Sequence, residues 1–536
     1  MAVDKDADEW NNKGLALHNL KKYDEAIKYY DKAIKIDSNF AWAWHYKGNA
    51  LFELGKYDKA DKYYDEALKI DPKFADALNS KGNTLFELGK YDEAIKYFDT
   101  AIEIDPKYQW AWRSKGMVLD NLRKYDEAIK YYNKAIEIDP DYVYAWINKG
   151  NALFKLGEYY EAMECYDKAD VGLGVWNDKS KALFELGKYD EAIMYYDKAI
   201  EIDPDYKWAW RSKGLALFEL GKYEEAIIYY DKAIEIDPNF ADAWNSKGNA
   251  LFELGKYDEA IMYYDKAIEI DPNSVDVWTS KGIALSNLGK YEEAIRYYDK
   301  AIEIDPNYAW VWYGKGGALQ KLKQYKEAIE CSAKAIDINR SFPYPWIVKG
   351  ESFRAIGNYS EAEHCYNAAL NLDPENIDAL SGLSALYAEY MDMYDKALQQ
   401  SRRILEINPD NFFAKSNIAE TLIKAGNYEE GRKYALQVLE TQDTGYQCVI
   451  RFLISSSYLL EGDTINGAKE LAKFLDYYKN LNEDFKVEEE QWTFRGLINV
   501  ISKSNTNLQT KFLLLTFIDL IQGKIDRRRL SFFHAF

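Results

Sequence analysis

A segment of 34 residues recurs, nearly copied, along most of this chain, and that period constrains the fold more than any other feature. Residues 243–272 read AWNSKGNALFELGKYDEAIMYYDKAIEIDP. The marker glycines are Gly14, Gly48, Gly82, Gly116 and Gly150, then Gly214, Gly248, Gly282, Gly316 and Gly350, with Ser180 standing in for one copy between the two runs. With this residue counted as position 8, position 4 carries Trp in ten copies, from Trp10 and Trp44 to Trp312 and Trp346. Position 20 is Ala from Ala26 to Ala362, and position 27 is Ala from Ala33 to Ala369. Such units cannot bury an apolar side alone, so they must stack on their neighbours.

Each copy reads as two helices. Helix A spans positions 1 to 14, and its apolar side is formed by positions 4, 8, 11 and 14, as in Trp244, Gly248, Leu251 and Leu254. Gly255 suits a left-handed helix end. Helix B begins near Tyr257, with Asp258 and Glu259 where the helix dipole favours negative charge, and it ends at Asp271 and Pro272. The small residues Gly248, Ala260 and Ala267 predict close helix approach, with Trp244, Tyr257 and Tyr264 filling the remaining wedge.

These residues resemble the tetratricopeptide repeat family. Its pattern is Trp, Leu, Gly, Tyr, Ala, Phe, Ala and Pro at positions 4, 7, 8, 11, 20, 24, 27 and 32. Trp244, Gly248, Ala260, Ala267 and Pro272 match, Tyr264 stands for Phe and Leu251 for Tyr. The resemblance covers eleven copies from residue 7 to about 374. It implies an all-α fold, a right-handed solenoid superhelix of helix-turn-helix repeats closed by a helical C-terminal cap, with the A helices lining an inner groove. Position 7 departs from the pattern, with Lys in every copy from Lys13 to Lys349. Either a cationic row engages an acidic ligand, or each stem packs and each ammonium reaches a neighbouring carboxylate; the acidic surface favours the second.

Irregularities divide the chain into a first block of repeats at 1–169, a second at 170–374, degenerate helical pairs at 375–478 and a non-repeat helical region at 479–536. Between the blocks, DVGLGVW (170–176) replaces the usual turn, four residues short, and Gly172 and Gly174 read as helix breakers. A hinge or notch and a merely tighter turn both fit. A second break carries Pro343 and Pro345. The end of the chain, from Phe512, combines apolar residues with Arg527, Arg528 and Arg529. Capping of the last repeat is the plainer reading, with self-association or a peripheral membrane contact as alternatives.

Composition excludes several functions. The formal charge of −20 repels phosphate backbones, so no nucleic-acid partner is expected. Cys165, Cys331, Cys365 and Cys448 form no CxxC pair, and the first three replace a tyrosine of the repeat. His18, His45, His364 and His534 are scattered. No phosphate-binding, dinucleotide-binding or hydrolase motif occurs, and the recurring carboxylates follow from helix dipoles. No catalytic residue, metal or cofactor is expected. No stretch has the length of a membrane span and the N-terminus has no apolar core, which makes a cytoplasmic setting the expectation.

Binding is the stronger expectation. Positions 2, 5, 6, 9, 12 and 13 of helix A lie opposite its packing side. They place Trp42, Asn49, Phe52, Asn79, Asn83, Phe86, Trp110, Arg113, Asn151, Trp208, Arg211, Asn245, Asn249, Phe252 and Trp310 as partner-binding candidates. The resemblance implies that such residues contact a peptide. The asparagines would hold an extended backbone, and Trp42, Trp110, Trp208 and Trp310 would serve either as flat anchors or as packing between A helices. One family subtype grips acidic C-termini with lysines, but position 5 here is never Lys, and Glu53, Asp76 and Glu87 make the face acidic. The leading expectation is a protein-interaction scaffold for a neutral or basic extended segment. The alternatives are a sensor whose C-terminal helices carry the output, or an accessory subunit of an enzyme complex.

Overall fold

A computed structural model describes residues 2–169, 172–439, 444–479, 497–498, 501–502, 504 and 508–521, and these residues are helical apart from turns and bends. The cluster Arg527–Arg529, His534, the start of the shortened turn and most of 479–536 lie outside the described residues, as does the Cys448 side chain. Two compact units are present, Met1–Gly255 and Lys256–Phe536.

In the first unit, helices A and B alternate, as in Ala41–Glu53 with Tyr57–Ile70, Ala75–Glu87 with Tyr91–Ile104, and Gln109–Asn121 with Tyr125–Ile138. The turn from A to B uses a left-handed glycine such as Gly55 or Gly89, whose φ values are +69° and +72°. The turn from B to the next A is set by Asp-Pro. Asp71 is extended, as a residue before proline must be, and its carboxylate accepts the Lys73 N–H at 2.9 Å.

Packing follows from the small residues. Tyr132, at position 24, lies fully buried against Gly116, and a Cβ built on that glycine would stand 2.5 Å from its ring. The alanines at positions 20 and 27 are completely buried in copy after copy, among them Ala94, Ala101, Ala128 and Ala135. Most of the lysines at position 7 resolve as the packing reading expects, while Lys13 pairs instead with Glu9 of its own helix. Lys47 reaches Asp31 at 2.5 Å, Lys115 reaches Asp99 at 2.5 Å and Lys213 reaches Asp197 at 2.5 Å, each on helix B of the preceding copy. The same ammonium groups lie 4.0–4.5 Å from the rings of Tyr63, Tyr131 and Tyr229 on helix B of their own copy. Burial lowers their pKa, but hydrogen bonds to the aspartate and the tyrosine oxygen outweigh it and hold Lys47, Lys115 and Lys213 above the usual lysine range.

The shortened turn changes its surroundings less than two glycines suggest. The preceding helix B is described as Tyr159–Ala169, and Gly172 already lies outside it, whereas Tyr189–Ile202 in the next copy runs 14 residues. Gly172 takes φ +89°, but Gly174 sits inside the next helix, Leu173–Glu185, and breaks nothing. With the Asp-Pro turn gone, the buried Trp176 Nε1 finds no acceptor among the described residues.

In the second unit the pairs continue from Tyr257–Ile270 through Val275–Asn287 and Tyr291–Ile304, and Pro345 lies in the first turn of Tyr344–Ala355, where it costs no hydrogen bond. The degenerate copies still form pairs, Ile377–Glu389 with Tyr394–Ile407 and Phe412–Lys424 with Tyr428–Leu439. Lys424 is buried between Glu389 and Glu420, with Glu420 at 2.7 Å. The helix Leu508–Ile521 buries Leu514, Phe517, Ile518 and Ile521 in a core shared with Phe452 and Phe474 of the preceding pair.

Candidate functional site

The candidates lie at positions 2, 5, 9 and 12 of the A helices. In the first unit, the Trp at position 2 has a specific neighbour that the sequence reading passed over. Trp42 meets Phe74 edge-on at 4.5 Å, Trp208 meets Phe240 at 4.4 Å, and Trp110 stands 6.4 Å from Tyr142. Each partner is the residue just before the next helix A. In the second unit, Trp310 repeats the arrangement with Phe342 at 4.5 Å. The packing reading therefore holds for one edge of each ring. One edge packs between adjoining copies, while 42–48% of each residue remains exposed. An aromatic residue at position 34 recurs as Phe40, Phe74, Tyr108, Tyr142, Tyr206, Phe240, Tyr308 and Phe342, a signal that could have revealed the contact.

The asparagines divide into two groups. Asn49 Oδ1 accepts the Tyr64 hydroxyl at 2.8 Å, and its amide lies 3.1 Å from His45 Nε2. Asn151 Oδ1 accepts the Tyr166 hydroxyl at 2.7 Å. These side chains are engaged by the position-24 tyrosines of the core, and Asn249 also has a partner. The third copy differs, because Phe98 replaces that tyrosine and leaves Asn83 without a phenol donor. The Oδ1 atoms of Asn79 and Asn245 are buried and accept no hydrogen bond among the described residues.

Arg113 lies 5.4 Å from the Tyr144 ring, and Arg211 donates through Nε to Ser246 Oγ of the next copy at 3.2 Å. Phe52 packs on Tyr57 at 5.2 Å and Phe86 on Tyr91 at 5.7 Å, so these rings also fasten helix A to the start of its own helix B. Phe252 is half-buried. His45, at position 5, is buried, and its pKa is lowered to about 3 by desolvation. Glu53, Glu87, Glu185, Glu219 and Asp242 are exposed on the A helices of this unit, while Asp76 accepts the Tyr108 hydroxyl at 2.7 Å.

Among the described residues no cluster of His, Cys, Asp or Glu could hold a metal ion, and no helix is long and apolar enough to cross a membrane. Burial raises the thiols of Cys165, Cys331 and Cys365 to about 11, as befits packed side chains and not nucleophiles.

Among curated proteins, none matches this sequence. One solved structure similar to this chain belongs to the APC/C hetero-tetramer Cut9–Hcn1, at 16% identity and a TM-score of 0.50, covering 89% of this chain and 94% of that one. Another is yeast Tom70, at 15% identity and a TM-score of 0.40, covering 81% of this chain and 99% of that one. Tetratricopeptide repeat models match residues 7–40, 29–62, 47–108, 110–142, 143–169, 241–274, 275–308 and 297–330. A further TPR repeat model matches 181–221, 214–255 and 350–389. With its paired helices, glycine–tyrosine wedges and family matches from residue 7 to 389, the chain belongs to the tetratricopeptide repeat family.

Proposed function

We propose that this protein is a non-catalytic interaction scaffold that binds an extended, neutral or basic segment of a partner protein on the face made by its A helices. The observation that carries the reading is the recurrence of half-exposed tryptophans at position 2, each steadied on one edge by the next copy. A ring so held keeps its other surface available and loses little freedom on binding. Asn83, which receives no phenol from its own copy, supplies an amide group for a peptide backbone. The exposed Glu53, Glu87, Glu219 and Asp242 favour a ligand without negative charge.

Selection from a random peptide library displayed on phage tests the reading. Enriched peptides are expected to be neutral or basic, and to lose about tenfold or more in affinity for Trp110→Ala and Asn83→Ala chains whose melting temperatures are unchanged. Enrichment of acidic C-terminal sequences, or binding indifferent to both substitutions, would refute it.

A further inference from the structure

One copy lacks the tryptophan that every other one of the eleven carries at position 4: the third has Leu78. The sister copies show what that position holds. The indole N–H donates to the main-chain carbonyl six residues earlier, from Trp112 to Pro106 at 3.0 Å, Trp146 to Pro140 at 2.9 Å, Trp210 to Pro204 at 2.8 Å and Trp278 to Pro272 at 2.9 Å. The ring lies beside the position-23 tyrosine, with centroids 5.9 Å apart for Trp112 and Tyr131 and 6.0 Å for Trp210 and Tyr229.

The third copy keeps both halves of this receptor and lacks its occupant. Pro72 is in place, and its carbonyl has no indole donor, since leucine has none to offer. Tyr97 is in place, with Lys81 5.2 Å from its ring. Between them opens a cleft of about 540 Å³, lined by Pro72, Leu78, Tyr97 and Leu68 together with the charged Lys62, Asp65, Glu66 and Lys69. The volume falls within the range of small-ligand sites, roughly 300–1,000 Å³. Of the acidic groups in the wall, Glu66 is already paired with Lys69 at 2.6 Å and Asp65 with Lys81 at 2.7 Å.

We propose that the cleft beside Leu78 binds an indole ring with a free N–H, stacked on Tyr97 and hydrogen-bonded to the Pro72 carbonyl. The site lies where helix A meets the B helices, away from the face proposed above for peptide binding, so the two readings stand or fall separately. Free indole compounds and the tryptophan side chain of a polypeptide share this chemistry.

Calorimetric titration of the full chain with indole tests the proposal. The expected result is a single site that weakens at least tenfold in a Leu78→Trp chain, where the protein's own ring fills the cleft as it does in the sister copies. For the unmodified chain, 1-methylindole, which lacks the N–H, should bind roughly 2- to 10-fold more weakly, the worth of one hydrogen bond. This arm is informative even if Leu78→Trp folds poorly. Binding of N-acetyltryptophanamide as well as indole would support the site with a polypeptide as the natural source, and binding of indole alone would support it with a free compound. Absence of indole binding to the unmodified chain, or binding equal in the Leu78→Trp chain, would overturn it.

Discussion

His45 shows how one side chain in a repeat can carry a pH response. Its ring is buried on helix A and lies against Asn49, and desolvation lowers its pKa to about 3 from 6.5. Above pH 6.5 neither the folded nor the unfolded chain holds a proton there. Between 6.5 and 3 the unfolded chain binds a proton that the folded chain refuses, so stability falls as the medium is acidified through that window. Replacing His45 with Asn, the residue the third and eighth copies carry at position 5, is expected to remove about 1–3 kcal/mol of the stability lost between pH 6.5 and 4.5. Urea midpoints of the two chains at both pH values measure this, and equal pH slopes would show that the folded ring takes up a proton as readily as the unfolded one.

The pairing of helices A and B rests on glycine facing tyrosine. A methyl group on Gly116 would press on Tyr132 at 2.5 Å, whereas one on Gly317, also within a helix A, would meet nothing within 4 Å. Gly116→Ala is therefore expected to cost about 1–3 kcal/mol through overpacking. Gly317→Ala should instead add about 0.5–1 kcal/mol, since alanine is the better helix former. Thermal melts of the two variants would show opposite signs, and a shared sign would contradict the wedge. Much of this element was legible in advance. The spacing of Gly, Ala and Asp-Pro marks both helices and both turns, and the lysine row reads correctly because a long apolar stem needs a packed path to a carboxylate. Less could be read of the binding face. Whether Asn49 is engaged or Asn83 is not depends on position 24 of the same copy, Tyr64 in one case and Phe98 in the other. Gly174 misled because helix propensity is a weak force beside the burial of Val175 and Leu183. The aromatic at position 34 escaped notice because it falls between helices, where periodicity carries no signal.

At the scale of the whole molecule, charge and locality dominate. A formal charge of −20 remains after the lysine row is paired, and most of it lies on exposed carboxylates. Salt screens such repulsion, with a Debye length of about 10 Å at 0.1 M, while the half-covered lysine–aspartate pairs are screened less. Raising sodium chloride from about 0.02 to 0.5 M is thus expected to raise the melting temperature by roughly 2–5 °C. A fall, followed by circular dichroism at 222 nm, would mean that the ion pairs outweigh the surplus. Within each unit, helices pack on those one or two places along the chain, with Leu508–Ile521 against Thr444–Glu461 as a longer return. Synthesis proceeds in the same order as that packing. A helix leaving the ribosome meets a docking surface completed moments earlier, and it seldom has to wait for sequence not yet translated.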